Sequence, residues 1–382
     1  MERISGVLTE TFKRFFESEK VGGNLLIACT LCSIVLANSS LGHDYLGLWA
    51  TQVLGLSLEH WVNDALMAIF FLLVGLELER ELYAGELSDF KKALLPLAGA
   101  LGGMLVPALV HYLLNAGTPT QAGFGIPMAT DIAFALGVLS MLGNRVPPAL
   151  KVFVVAFAVI DDLGAIVIIA VFYTANLSLA YLLGALAIWA VLVVLNRCRI
   201  MSLPVYLVGG ALMWVCLLNS GVHATLAGVM LAFAIPFRAK EAGQASLSHR
   251  LENALHKPVA FFVLPVFALA NTGVVISSGW MDGLLNPNAL GIAAGLLLGK
   301  PLGVVLACWG AVFLGLCRLP EAVGWRHMLG AGILGGIGFT MSIFITNLAF
   351  VGQPEIINLS KMAILLASLM AGIFGFLCLA RK

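Results

Sequence analysis

The sequence predicts an all-α polytopic membrane protein, and three observations carry that prediction. Of its 382 residues, 60% are hydrophobic and only 11% charged, with a mean hydropathy of +1.01, whereas soluble domains carry about 25% charged residues. Apolar runs long enough to cross a ~30 Å hydrocarbon layer recur from end to end, so residues 1–382 read as a single integral membrane domain. The basic residues, finally, fall in alternate connections between those runs. The net charge of +1 comes with no basic patch or groove-reading motif, which excludes nucleic acid as a partner and leaves the bilayer.

Taken in order, residues 1–20 set Val7, Leu8, Phe12, Phe15 and Phe16 against Lys13, Arg14 and Lys20. They read as an amphipathic helix on the cytoplasmic surface that leads into an uncleaved first span. Spans follow near 22–38, 60–82, 94–115, 121–143, 149–174, 179–196, 204–219, 221–236, 255–273, 289–314, 327–350 and 357–379, which makes twelve. With the N-terminus inside, the inner connections hold nineteen of the 21 Lys and Arg residues, while the outer loops 39–59, 116–120, 175–178 and 274–288 hold none. This bias follows the positive-inside rule and puts both termini in the cytoplasm. Two basic residues are left over: Lys361 near the outer end of the last span and Lys300 near the middle of the tenth. The seven cysteines lie mostly in apolar runs and read as membrane-core thiols, since the CxxC at Cys29 and Cys32 has no second ligand pair.

"VIDDLGA" (159–165) places Asp161 and Asp162 at the middle of the fifth span, and Asp131 lies near the middle of the fourth. Three acids and one lysine therefore share a depth at which each costs about 2.5–3.5 kcal/mol. A structural ion pair that fixes helix register needs two charges, not four. Adjacent helix positions point about 100° apart, so one aspartate of the pair can bind Lys300 while its neighbour faces elsewhere. A carboxylate in such a place can hold a proton or a hard cation, but not both at full strength. That competition is itself a mechanism of exchange.

Spans four ("GIPMATDIAFALG") and eleven ("GGIGFTMSIFITN") both carry breakers near their centres, Pro127 in one and Gly335, Gly336 and Gly338 in the other. Extended peptide at membrane depth is tolerated only where it is buried or lines water. Crossed breaks set like helix ends together, positive ends suiting Asp131 and negative ends suiting Lys300. The echo between 129–134 and 339–344 points to an inverted repeat of spans three to five and ten to twelve. The small residues in "GLLLGKPLG" (295–303) read as close helix packing.

Together "ATDIAFALG", "IDDLGA", "GVHATLAG", "LLGKPLG" and "GIGFTMSIFI" resemble, in order and from about residue 10 to the C-terminus, the NhaA family of bacterial sodium/proton antiporters. The resemblance implies an inverted-repeat fold in the bacterial inner membrane. It also implies electrogenic export of one Na⁺ or Li⁺ for two H⁺, activation at alkaline pH for sodium and pH homeostasis, and no cofactor beyond the transported ions. By motif, Asp162 resembles the principal cation and proton ligand, so the Na⁺ site is assigned to Asp161 and Asp162, with Asp161 also able to pair with Lys300. Asp131 with Thr130 resembles the pair that offsets helix ends at the crossing. Glu77, Arg80 and Glu81 in "GLELERELYAG", with Glu252 and His256 in "RLENALHK", resemble a cytoplasmic pH-sensing cluster; solvated charges at inner span ends are the plainer account. Here the chain departs from the family pattern, with Asn253 where a member carries histidine and Lys257 where it carries proline. His223 in "VHATLAG" is either a further pH group or a packed histidine. Asp64 matches an aspartate of the outer funnel, or simply favours the helix N-terminus. Residues 43–57, "HDYLGLWATQVLGLS", resemble the periplasmic hairpin through which family members form homodimers.

Three rival classes share the acids. A prenyl- or alcohol-phosphate transferase would use clustered acids to hold Mg²⁺ against a diphosphate, but "DDLGA" has no further carboxylate within a turn and no arginine or lysine beside it. An intramembrane aspartyl enzyme would bring a GxGD motif, which neither "ATDIA" nor "IDDLG" supplies. A proton-coupled carrier of another solute would want a pocket of directional hydrogen-bond donors, of which the charged group gives no sign.

Overall fold

The computed structural model describes residues 21–174, 177–238, 246–276 and 280–381; the amphipathic segment expected over 1–20 lies outside them. In chain order the helices are α1 (Val21–Ala37), α2 (Gly42–Ala50), α3 (Leu58–Ala84), α4 (Phe90–Leu114), α5 (Ile132–Met141), α6 (Pro148–Phe172), α7 (Leu179–Arg197), α8 (Leu203–Leu218), α9 (Leu226–Ala232), α10 (Leu247–Asn271), α11 (Trp280–Leu284), α12 (Pro287–Phe313), α13 (Trp325–Gly335), α14 (Phe339–Ala349) and α15 (Pro354–Ala380). A 3₁₀ segment, Pro119–Met128, precedes α5.

Seven of these helices (α3, α4, α6, α7, α10, α12 and α15) are long and apolar enough to cross a membrane, and counting each bent pair as one span raises the number to ten among the described residues. The bent pairs are α1 with α2, Pro119–Met128 with α5 (43°) and α13 with α14 (45°). The spans expected at 204–219 and 221–236 fall on shorter helices, the 16-residue α8 and the 7-residue α9. α9 is short because Gly221, at φ +81°, turns the chain sharply after α8, and Pro236 follows its end.

The expected hairpin at 43–57 is narrower than the sequence suggested. Its first half is helix α2, where Tyr45 and Trp49, four residues apart, meet edge-on at 6.2 Å. Only β1 (Gln52–Val53) and β2 (Leu56–Ser57) pair, antiparallel, with Gln52 opposite Ser57. Positive φ at both Leu54 and Gly55 gives the primed turn that such a tight connection needs.

The chain divides into two compact units, one drawn from Met1–Ser40, Asp89–Ala165 and Thr272–Lys382, the other from Leu41–Ser88 and Ile166–Asn271. In the first, α4 and α12 touch backbone to backbone at Gly102 and Gly303, where a Cβ on either would overlap the other's carbonyl. In the second, Gly228 of α9 sits on the backbone of α3 at Ala68 and Leu72, and the core gathers Leu72, Leu76, Leu192, Tyr206, Met213 and Leu231. Both contacts suit a medium in which close packing, not hydrophobic exclusion, joins helices. Three helices also contain π turns that the sequence pattern did not announce: Val62–Leu66 in α3, Val259–Val263 in α10 and Gly295–Gly299 in α12.

Candidate functional site

The aspartate pair lies inside α6, and both side chains are buried, Asp161 at 0% and Asp162 at 2% exposure. Lys300 of α12, also at 0%, donates from Nζ to Asp161 Oδ2 at 2.7 Å and to the Met128 carbonyl. The structure thereby chooses between the two aspartates as the lysine's partner, a choice that depends on how α6 is rotated against α12. The Phe157 ring lies 5.7 Å from the ammonium, within cation–π range. The second oxygen of Asp161, Oδ1, is buried with Thr130 against the carboxylate and has no well-formed hydrogen bond among the described residues, although a carboxylate has room for several. That oxygen is the kind of group a cation or a proton would satisfy.

Met128 ends the 3₁₀ segment, and beyond it Ala129 and Asp131 are extended before α5 begins. This break meets the break between α13 and α14. Asp131 donates its N–H to the Ile337 carbonyl at 2.6 Å, the Thr130 hydroxyl donates to the Gly335 carbonyl at 2.9 Å, and Ser342 Oγ donates to the Ile126 carbonyl at 2.7 Å. The Asp131 carboxylate serves two helix starts at once. Oδ1 accepts from the Phe134 N–H of α5 at 3.1 Å; Oδ2 accepts from the Thr340 N–H at 3.1 Å and its hydroxyl at 2.7 Å at the start of α14. The Lys300 ammonium sits at the opposite kind of end, on a carbonyl where a helical segment stops. Thr340 and the Met128 carbonyl escaped the sequence reading; the echo that aligns Thr130 with Thr340 was the available signal for the first, and a backbone carbonyl leaves none.

In the second unit the structure gathers Glu77, Arg80, Glu81, Glu252 and His256. Arg80 bonds Glu252 Oε1 from Nε and Glu81 Oε1 from Nη1, each at 2.8 Å, and His256 Nδ1 lies 3.8 Å from Glu77 Oε1. The sequence reading missed three further members. His249 stands 3.5 Å from Glu252 Oε2, and Ser248 Oγ donates at 2.8 Å to Glu79, which is 4% exposed. His223 is not among them: its Nε2 donates to the Tyr173 carbonyl at 2.9 Å. Asp64 lies in the π turn of α3 and pairs with His60 at 2.9 Å. Beside it Asn63 accepts from Asn271 of α10 at 2.8 Å.

Among the described residues no group of three or more His, Cys, Asp or Glu side chains is placed to hold a metal ion. Any cation at Asp161 and Asp162 would complete its shell with neutral oxygens.

Comparison with known proteins points the same way. The chain matches the family described as Na+/H+ antiporter 1 over residues 13–379. It is 66% identical over 374 residues to the Na(+)/H(+) antiporter NhaA of Dechloromonas aromatica (strain RCB), covering 98% of this chain and 96% of that one. It is 58% identical over 372 residues to Na(+)/H(+) antiporter NhaA 1 of Flavobacterium johnsoniae, with 97% of each covered, and 48% identical over 374 residues to the Na(+)/H(+) antiporter NhaA of Vibrio campbellii, with 97% and 95% covered. With apolar spans, a buried acid pair in one of them and likeness at this level over nearly its whole length, the chain belongs to the Na+/H+ antiporter 1 family, a family of secondary transporters and not of enzymes.

Proposed function

We propose that this protein exports Na⁺, or Li⁺, in exchange for protons across the bacterial inner membrane, with Asp162 and Asp161 as the shared cation and proton site. The observation that carries the reading is the fully buried Lys300–Asp161 pair with a second buried carboxylate next to it in the chain. In the proposed cycle, Asp162 deprotonated toward the cytoplasm binds the ion, with Asp161 Oδ1 and neighbouring oxygens such as Thr130 Oγ1 as further ligands. Opening to the outside releases the ion, and protons reload the aspartates and loosen the Lys300 pair. Two protons inward per ion outward make the cycle electrogenic, and the Glu77/Arg80/Glu81/Glu252/His256 network sets activation at alkaline pH. His223 is assigned a pH role of its own at its separate position, and Asp64 a place in the outer funnel. The accompanying architecture is twelve spans with both termini cytoplasmic, inverted repeats over spans three to five and ten to twelve, and a homodimer through the 43–57 region.

The test is proton movement in proteoliposomes on addition of Na⁺, Li⁺ or K⁺, from mildly acid to alkaline pH, with Asp162→Asn alongside. Exchange with Na⁺ and Li⁺, absent with K⁺ and in the variant, is the expected result. No cation response from folded protein at any pH would overturn the proposal.

A further inference from the structure

"GIAAGLLLGKPLG" (291–303) sets glycines at 291, 295, 299 and 303. On an α-helix a four-residue repeat drifts by about 40° per step, so roughly 120° separates the first glycine from the last and the four cannot share a face. Yet all four approach α4 or its C-terminal cap. A Cβ at Gly291 would meet Asn115 Nδ2 at 2.7 Å and His111 Cδ2 at 2.8 Å. At Gly295 it would meet the Pro107 carbonyl oxygen at 3.2 Å, at Gly299 Pro107 Cα at 2.8 Å, and at Gly303 the Gly102 carbonyl.

What straightens this stripe is the π turn. The Lys300 N–H reaches back five residues, to the Gly295 carbonyl, where an α-helix would reach back four. The turn thus takes up one extra residue and rotates everything after it by about 100° relative to an unbroken α-helix. Lys300 is the first residue beyond it. The turn is also wedged against the other side of the lysine's site: a Cβ at Gly295 would come within 2.7 Å of Pro127 Cβ, and Pro127 precedes the Met128 whose carbonyl takes the ammonium. One turn therefore fixes both the direction of Lys300 and its distance from its acceptors.

We infer that Gly295 and Gly299 are positioning residues for ion exchange: they seat the π turn of α12 against Pro107 and Pro127, and the turn aims Lys300 at Asp161 and Met128. The inference rests on the role proposed above for Lys300. A purely packing role for the glycines would apply equally to Gly291, which lies on the same stripe but outside the turn, so Gly291 is the control.

The experiment compares Gly295→Ala, Gly299→Ala, deletion of the exposed Leu298, Gly291→Ala and Lys300→Gln in full-length protein. It reads thermal unfolding, the pH profile of exchange and the apparent KM for Na⁺. Gly295→Ala, Gly299→Ala and the deletion should move the pH profile and KM in the same direction as Lys300→Gln, by roughly threefold or more in KM. Adding Lys300→Gln to Gly299→Ala should move them little further. Gly291→Ala should lower the unfolding temperature and leave profile and KM in place. If Lys300→Gln itself leaves both at wild-type values, the role given to Lys300 falls and the inference with it. If Lys300→Gln shifts them and the folded turn variants do not, the inference alone falls. Failure of all three turn variants to fold beside a folded Gly291→Ala would overturn it in favour of packing alone.

Discussion

Lys300 and Asp161 hold each other in a place where neither could be left alone. Removing one member of such a buried pair costs about 3–5 kcal/mol, because the survivor keeps its charge and loses its partner, whereas replacing both with apolar side chains is often neutral. Lys300→Met should therefore lower unfolding stability by about that amount, and Lys300→Met combined with Asp161→Leu should recover most of it without restoring exchange; a double variant no more stable than the single would show that the pair is not the source. At Asp162 the expectation concerns pH. A proton and Na⁺ competing for one carboxylate make the apparent KM for Na⁺ rise as pH falls, by up to roughly tenfold per pH unit for one competing proton. A KM flat across a range in which the rate changes would mean that pH acts elsewhere. Asp131, Asp161, Asp162 and Lys300 were legible in the sequence because a charge in a long apolar run is conspicuous by its cost. Which aspartate meets the lysine was not legible, since it turns on the rotation of α6 against α12, and Glu79 was lost among neighbouring charges although it is the one that bonds Ser248.

The elements show the same division. Pro127 and the glycines at 335, 336 and 338 mark both breaks in the sequence: one opens just after Pro127, at Ala129–Asp131, and the other at Gly336–Gly338. The hydrogen bonds that join the breaks depend on two distant segments meeting, which local pattern does not encode. Thr340→Val should remove the hydroxyl bond to Asp131 and cost about 1.5–3 kcal/mol, the range for hydrogen bonds to a charged group, measured by denaturation. Asp131→Asn should cost more, because it weakens the bonds to both helix starts together; a smaller loss than in Thr340→Val would contradict the two-ended role. The π turn in α12 was not legible, because the four-residue glycine spacing reads equally as close helix packing. The short α9 and the helical α2 were missed because hydropathy alone does not register the turn at Gly221 or the aromatic pair of α2.

At the scale of the molecule, the charge bias of the loops was readable because it depends on composition and not on contacts. The two units were not, because each is assembled from segments far apart in the chain. The carboxylate network of the second unit gives a prediction at this scale. Glu252→Gln weakens the partner of both Arg80 and His249. It should move the pH at which exchange switches on while leaving the Na⁺ affinity at optimal pH within about twofold, since no residue of the pair at Asp161 and Asp162 is touched; an equal loss at every pH would assign the network to structure alone. The crossing of the two breaks has a different consequence. Asp131 is answered there by peptide N–H groups and a threonine hydroxyl, which neither titrate nor exchange with ions at physiological pH, whereas Asp161 is answered by the ammonium of a lysine, which can lose its proton. In the proposed cycle a permanent fastening and a releasable one thus lie in the same unit, so that the electrical state changes at one without undoing the shape at the other.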